Sequence, residues 1–206
     1  MARERYAALP DSASHPATDR MHRPLRWLWL SLVVIVLDLG IKALASAHLD
    51  YGRPLEVLPI FNLTLLHNTG AAFSFLAEHA GWQRWLFALI AIGASVGLTV
   101  WLSRLKRGET LTAISLTLVI GGAIGNLYDR LVHGYVVDYL SFHWGGWYYP
   151  AFNLADTAIT LGAVGLILQS LLDSRRPKAS HAADNDKSAS TDKSSADKSS
   201  STGGDS

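Results

Sequence analysis

Four apolar runs divide the chain, and each is about as long as a helix that crosses a bilayer. They extend from about Trp27 to Ala45, Trp82 to Leu102, Leu111 to Leu127 and Ala155 to Leu172, where a hydrocarbon core of ~30 Å asks for roughly 20 residues. Between the first and second runs, Gly52 and Pro54 break structure, FNLTLLHN alternates its side chains as a short strand does, and HNTGAAF carries the turn formers Asn68, Thr69 and Gly70. Between the third and fourth, aromatic residues crowd the segment from Tyr135 to Phe152, the composition of a hairpin resting at the headgroup level. Gly93 with Gly97, and Gly121 with Gly125, repeat at the spacing that lets membrane helices approach closely. The periodicity stops at both ends. Residues 1–24 read as a flexible basic cytoplasmic lead-in, residues 25–174 as one membrane domain, and residues 175–206, rich in Ser, Ala, Asp and Lys, as a disordered cytoplasmic tail unable to bury a core.

Composition agrees with a membrane solvent. Of 206 residues, 49% are hydrophobic and 17% charged, and the mean hydropathy is +0.18, too apolar for an ordinary soluble protein of this size. A net charge of +1 with bases in short clusters argues against a nucleic-acid partner, and the absence of cysteine excludes disulfides, thiol catalysis and Cys-based metal sites. Arg20, Arg23 and Arg26 precede the first run, Arg104, Lys106 and Arg107 join the second to the third, and Arg175, Arg176 and Lys178 follow the fourth. By the positive-inside rule both termini are cytoplasmic, and Lys42, Asn68, Asp129, Asp138 and Asp156 then share the extracytoplasmic side. The first run also imitates a cleavable signal peptide, with arginines before it and Ala45-Ser46-Ala47 after it. Asp38 and Lys42 oppose that reading: four residues apart on one helical face, they form a pair that a discarded segment does not need.

Carboxylates at the mouths of apolar segments are costly unless they are paired, hydrated or kept neutral. The third run ends in Asn126, Asp129 and Arg130, Asp138 follows in a strand-like YVVDYL, and the fourth run opens on Asn153 and Asp156. Two carboxylates held close share one proton, so that one activates water while the other protonates a carbonyl. Structural roles compete with this chemistry: an Asn153 cap with Asp156 in the first turn, an Asp129–Arg130 ion pair at a helix exit, and a buried Asp38–Lys42 pair. His67, His133 and His143 lack metal-ligand spacing, and GGAIG has no following Lys-Ser/Thr to cradle phosphate. Apart from a membrane aspartyl peptidase, the pattern also fits an ion- or proton-coupled transporter, or an assembly partner docking through the aromatic hairpin.

Five motifs in order carry a resemblance: DLGIK with Asp38 and Lys42, HNTGAAF with Asn68 and Gly70, GNLYDR with Asn126, Asp129 and Arg130, VVDYL with Asp138, and FNLADTAI with Asn153, Ala155 and Asp156. From Trp27 to Leu172 the chain resembles the bacterial signal peptidase II family, which processes lipoproteins. The resemblance implies an all-α membrane protein of four transmembrane helices, with a small extracytoplasmic β element and a short interfacial helix closing over the site. It implies catalysis by Asp138 and Asp156, without cofactor or metal, cleaving diacylglyceryl-modified prolipoproteins before the modified cysteine. Asp38, Lys42, Asn68, Gly70, Asn126, Asp129, Arg130, Asn153 and Ala155 would bind substrate or support the site. A monomer in the bacterial inner membrane, among its lipids and inhibited by globomycin, completes the expectation. Leu154 and Thr157 stand where close relatives such as Val and Ser are expected, and both tails exceed the family core.

Overall fold

A computed structural model describes residues 24–70 and 81–175. The chain divides into two compact units, residues 1–169 and 170–206. Of the second, the described part is the end of the last helix and Arg175. Four helices are long and apolar enough to span a membrane: α1 (Leu28–His48), α2 (Trp82–Ser103), α3 (Thr110–Val132) and α4 (Leu154–Ser174). The lead-in up to residue 23, the part of HNTGAAF beyond Gly70 and the tail from residue 176 are not among the described residues, and none of the described elements is a short interfacial helix.

Helix α3 is the central one, with 61% of its apolar window buried against 28% or less in the other three. The buried residues of α1, Ser31, Val34, Asp38, Lys42 and Ala45, recur every three or four positions, so they form a single stripe. That stripe meets α3, where Ser31 Oγ donates to the Thr117 carbonyl at 2.7 Å. Glycines make the approach possible. A Cβ on Gly121 would stand 2.8 Å from Val34 Cβ, one on Gly125 would stand 2.5 Å from Asp38 Oδ2, and one on Gly122 would run into the Ala155 carbonyl oxygen. Consecutive glycines therefore seat two different helices, α1 and α4. The expectation for Gly93 and Gly97 is corrected: nothing lies within 4 Å of a Cβ built on either, and both are exposed. The outward faces carry large apolar side chains such as Leu32, Leu89, Val96 and Ile167, while Asp38, Thr117, Asp129 and Asn153 are buried, the distribution that a lipid solvent favours.

Helix α3 also runs to Val132, beyond the expected Leu127. It stops where Gly134, at φ +85°, takes the left-handed conformation and donates its N–H to the Asp129 carbonyl. Arg84 of α2 reaches across to donate to the Leu131 carbonyl at 2.6 Å, satisfying another end group. Asp129 and Arg130 consequently lie in the last turns of a helix, not beyond its exit.

Four antiparallel strands form one sheet in the order β1 (Leu55–Leu58), β2 (Phe61–Asn68), β3 (Val136–Trp144) and β4 (Trp147–Tyr148). Neighbours β2 and β3 are separated in sequence by α2 and α3, and their register sets Leu66 opposite Asp138 and Asn68 opposite Val136. The aromatic hairpin is only partly a surface element. Val136, Val137, Asp138 and Tyr139 are buried, and exposure begins at Phe142 and grows toward the tip at Trp144, Trp147 and Tyr148.

Candidate active site

Asp138 occupies the buried part of β3 and is 2% exposed. Its two carboxylate oxygens are held by amides from either side: Asn68 Nδ2 donates to Oδ2 at 3.0 Å, and Asn153 Nδ2 donates to Oδ1 at 2.8 Å. Asn68 is positioned by the strand pairing and by a local turn, in which its Oδ1 accepts from the Gly70 N–H at 2.8 Å. Gly70 sits at φ +84°, and a Cβ there would enter the Phe87 ring, so glycine is required both for the turn and for the space. Burial is the main cause that pushes the Asp138 carboxyl up to about 6, against the hydrogen bond from Asn68 and with help from the Asp156 charge.

Asp156 stands in the first turn of α4, half-buried. Its N–H donates to Asn153 Oδ1 at 2.9 Å and its Oδ2 accepts from the Asn153 N–H at 3.3 Å, a reciprocal cap of the helix start. The structural role weighed for Asn153 and Asp156 is thus present, and the same Asn153 side chain also grips Asp138. The two acids are therefore joined through one asparagine whose position is fixed by the fold. On its other side Asp156 Oδ1 accepts from Asn126 Nδ2 at 2.7 Å.

Behind these acids lies a buried polar cluster. Lys42 Nζ is 2.7 Å from Asp38 Oδ2, 2.9 Å from Asp129 Oδ2 and 2.9 Å from Asn126 Oδ1. The Asp38 contact is an ion pair without hydrogen-bond alignment, while Asp38 Oδ1 accepts from the Ala155 N–H at 2.9 Å. Asp129 Oδ2 in addition accepts from the Val137 N–H at 3.1 Å, tying the end of α3 to the strand that carries Asp138. Two expectations change here. Asp129 takes Lys42 as its ion partner in place of the neighbouring Arg130, and Asp38 with Lys42 form part of a three-helix cluster instead of an isolated pair. A single cation facing two carboxylates and an amide compensates groups that would each be expensive alone.

Arg130 donates to the Asn126 carbonyl at 3.2 Å, lies over the Phe87 ring at 5.2 Å and feels the charges of Asp156, Asp138 and Asp129. All eleven candidate residues thus belong to one neighbourhood built from α1, β2, α3, β3 and α4. Phe87, Arg84 and Tyr139 were not singled out in sequence. Phe87 backs Gly70 and Arg130, Arg84 closes α3, and the Tyr139 hydroxyl, pushed up to about 12 mainly by burial, bonds to backbone at Leu154. Nothing local marks these three, since an aromatic or a base near an apolar run has many uses. Among the described residues, no three His, Cys, Asp or Glu side chains come together as a metal site would require. The arrangement offers one buried carboxyl, pushed up to about 6, beside a second that is only half-buried, a pair suited to acid–base work on water.

Comparison with known proteins converges on one group. Residues 30–172 match the family described as signal peptidase (SPase) II. The lipoprotein signal peptidase of Pseudomonas aeruginosa PAO1 is 56% identical over 168 residues, covering 81% of this chain and 99% of that protein. That of Vibrio vulnificus is 56% identical over 146 residues, covering 70% and 87%. Among solved structures, a bacterial membrane enzyme determined by the in meso method at 2.3 Å resolution superposes with a TM-score of 0.66 at 27% identity, covering 75% of this chain and 93% of that one.

Proposed function

Since the chain belongs to the signal peptidase II family of membrane proteases, we propose that it hydrolyses prolipoproteins just before their diacylglyceryl-modified cysteine, using Asp138 and Asp156 as an aspartyl pair. The observation that carries this reading is Asn153, which caps α4 through Asp156 while donating to Asp138. An asparagine needed only as a cap would have no reason to hold a second acid.

In the reaction, Asp156, the anionic partner favoured by the helix start, takes a proton from water as the water oxygen attacks the scissile carbonyl. Asp138, whose pKa of about 6 keeps a proton available near neutrality, donates it to the carbonyl oxygen. The resulting diol collapses as its hydroxyl returns a proton to one carboxylate and the other acid protonates the departing amine. The C–N bond breaks, and the pair again holds one proton. Asn68 and Asn126 orient the two acids, and Arg130 lies near enough to steady charge on the substrate carbonyl. Both termini would be cytoplasmic, with the site at the extracytoplasmic surface of the inner membrane, where a lipid-anchored substrate arrives laterally.

The deciding experiment incubates full-length protein in detergent with a diacylglyceryl-modified preprotein and follows product by mass. Asp138→Asn and Asp156→Asn each should lose nearly all turnover, and the double variant should be scarcely worse, because groups acting as one unit are strongly non-additive. Substantial turnover by either single variant, with substrate binding intact, would reject the shared-proton pair.

A further inference from the structure

At the end of the helices remote from the carboxylates, the start of α1, the end of α2 and the start of α3 surround a cavity of about 830 Å³. Trp27 and Leu105, which line it, pack against the core cluster of Leu102, Ala113, Leu116 and Ile120, so part of its wall is apolar. Its rim is basic: Arg26, Arg104, Lys106 and Arg107 all line it, accompanied by a single acid, Glu109. That acid is already engaged, since a Glu109 carboxylate oxygen accepts from the Lys106 backbone N–H at 2.8 Å and closes the α2–α3 turn. Among the described residues, no carboxylate pairs with the side chains of Arg26, Arg104 or Lys106. Bases that only orient a membrane protein can point separately into water; here four converge on one recess. Exposed apolar surface begins next to the rim, with Trp29 of α1 at 58% exposure and Trp101 of α2 at 48%.

From this we infer that the recess binds a phosphate-bearing headgroup, specifically that of an anionic phospholipid from the leaflet facing the α2–α3 turn. The cations match a phosphodiester, the volume lies in the range of small-molecule sites, and the adjoining apolar helix faces accommodate the acyl chains. A zwitterionic lipid brings a cationic ammonium group that the basic rim repels. Free phosphate shares the anionic chemistry but cannot use the apolar faces, and that difference separates the two sources.

The test uses full-length protein in a neutral detergent, titrated with dioctanoyl phosphatidylglycerol, dioctanoyl phosphatidylcholine or inorganic phosphate and read by native mass spectrometry. Phosphatidylglycerol should bind at least about tenfold more tightly than phosphatidylcholine. The double variant Arg26→Gln, Arg104→Gln should lose about thirtyfold of that affinity, in line with the attraction of each base near an anionic surface. Arg53→Gln, which removes an exposed base paired with Asp50, should leave it unchanged. Arg26 and Arg104 are exposed, so the double variant should melt like the parent; if it melts early, Lys106→Gln serves the same comparison. Equal binding of the two lipids, or unchanged affinity in the variants, overturns the site. Full displacement by an equal concentration of inorganic phosphate overturns its assignment to a lipid.

Discussion

Replacing Asp138 with Asn should change how stability depends on pH, independently of any effect on turnover. The carboxyl moves from an ordinary 3.8 to about 6 in the folded protein, chiefly through burial. A folded-state pKa above the unfolded one means that the native protein holds this proton more tightly between those two values. Stability is therefore greatest below about pH 3.8, is lost as pH rises toward 6, and is level above it. At about 1.4 kcal/mol per pH unit, the whole change amounts to about 3 kcal/mol. Asparagine has nothing to titrate, so its stability relative to the parent should improve by about that much between pH 4 and pH 7. A constant offset runs the other way. Asp138 accepts from both Asn68 and Asn153, whereas an amide turns one of its ends into a donor facing a donor, at about 1 to 3 kcal/mol. The variant should thus be clearly weaker at pH 4 and close to the parent at pH 7. Unfolding in detergent by a denaturing surfactant, followed by circular dichroism at four pH values, measures this. Asp156→Asn provides an internal check, because losing the Asp156 charge should shift the parent's window to lower pH without abolishing it. A difference between parent and Asp138→Asn that stays flat from pH 4 to 7 would refute the assignment of a buried, late-titrating carboxyl.

Lys42→Met should cost about 3 to 5 kcal/mol of stability, since it leaves both Asp38 and Asp129 buried without their cation; yield and melting temperature should fall more than turnover per folded molecule. Gly122→Ala should destabilise by about 1 to 3 kcal/mol because its methyl meets the Ala155 carbonyl, whereas Gly93→Ala and Gly97→Ala, pointing into open space, should be neutral or gain up to about 1 kcal/mol from helix propensity; melting temperatures of the three rank them. His67 should titrate below the usual histidine range, held down by burial and by His133, and His133→Asn should return it part of the way, as read from ring proton shifts in NMR spectra.

Length and hydropathy made the four helices legible, because a span has to be continuous and apolar whatever it packs against. Boundaries were less so: LYDRLV continues α3 with helix-compatible residues, and the stop depends on Gly134 and on a donor from Arg84, a residue remote in sequence. Glycine spacing identified possible close approaches without saying which were used. Gly121 and Gly125 face α1, yet the same spacing at Gly93 and Gly97 faces nothing. The candidate acids stood out as charges in expensive places, and their ordering into motifs suggested a common purpose. That Asn153 joins Asp138 to Asp156, or that Lys42 serves Asp129 as well as Asp38, follows from helix rotation and strand register. Neither is written in local composition. The basic cavity was visible only as three separate positive clusters, two of which supply its rim.

The pairing of β2 with β3 also sets a timetable for synthesis. Phe61–Asn68 must wait for Val136–Trp144, and Asn153 and Asp156 emerge later still, at the head of the final helix. Closing a contact over so long a stretch of chain is slow compared with forming any one helix. A nascent chain that has inserted three helices therefore has Asp38, Lys42 and Asp129 but neither the lock on Asp138 nor its companion acid. Lys42 can already meet Asp38, Asp129 and Asn126 at that stage. The Ala155 N–H that donates to Asp38 and the Asn153 amide that donates to Asp138 arrive only with the last span, so the polar cluster is completed from its lysine outward.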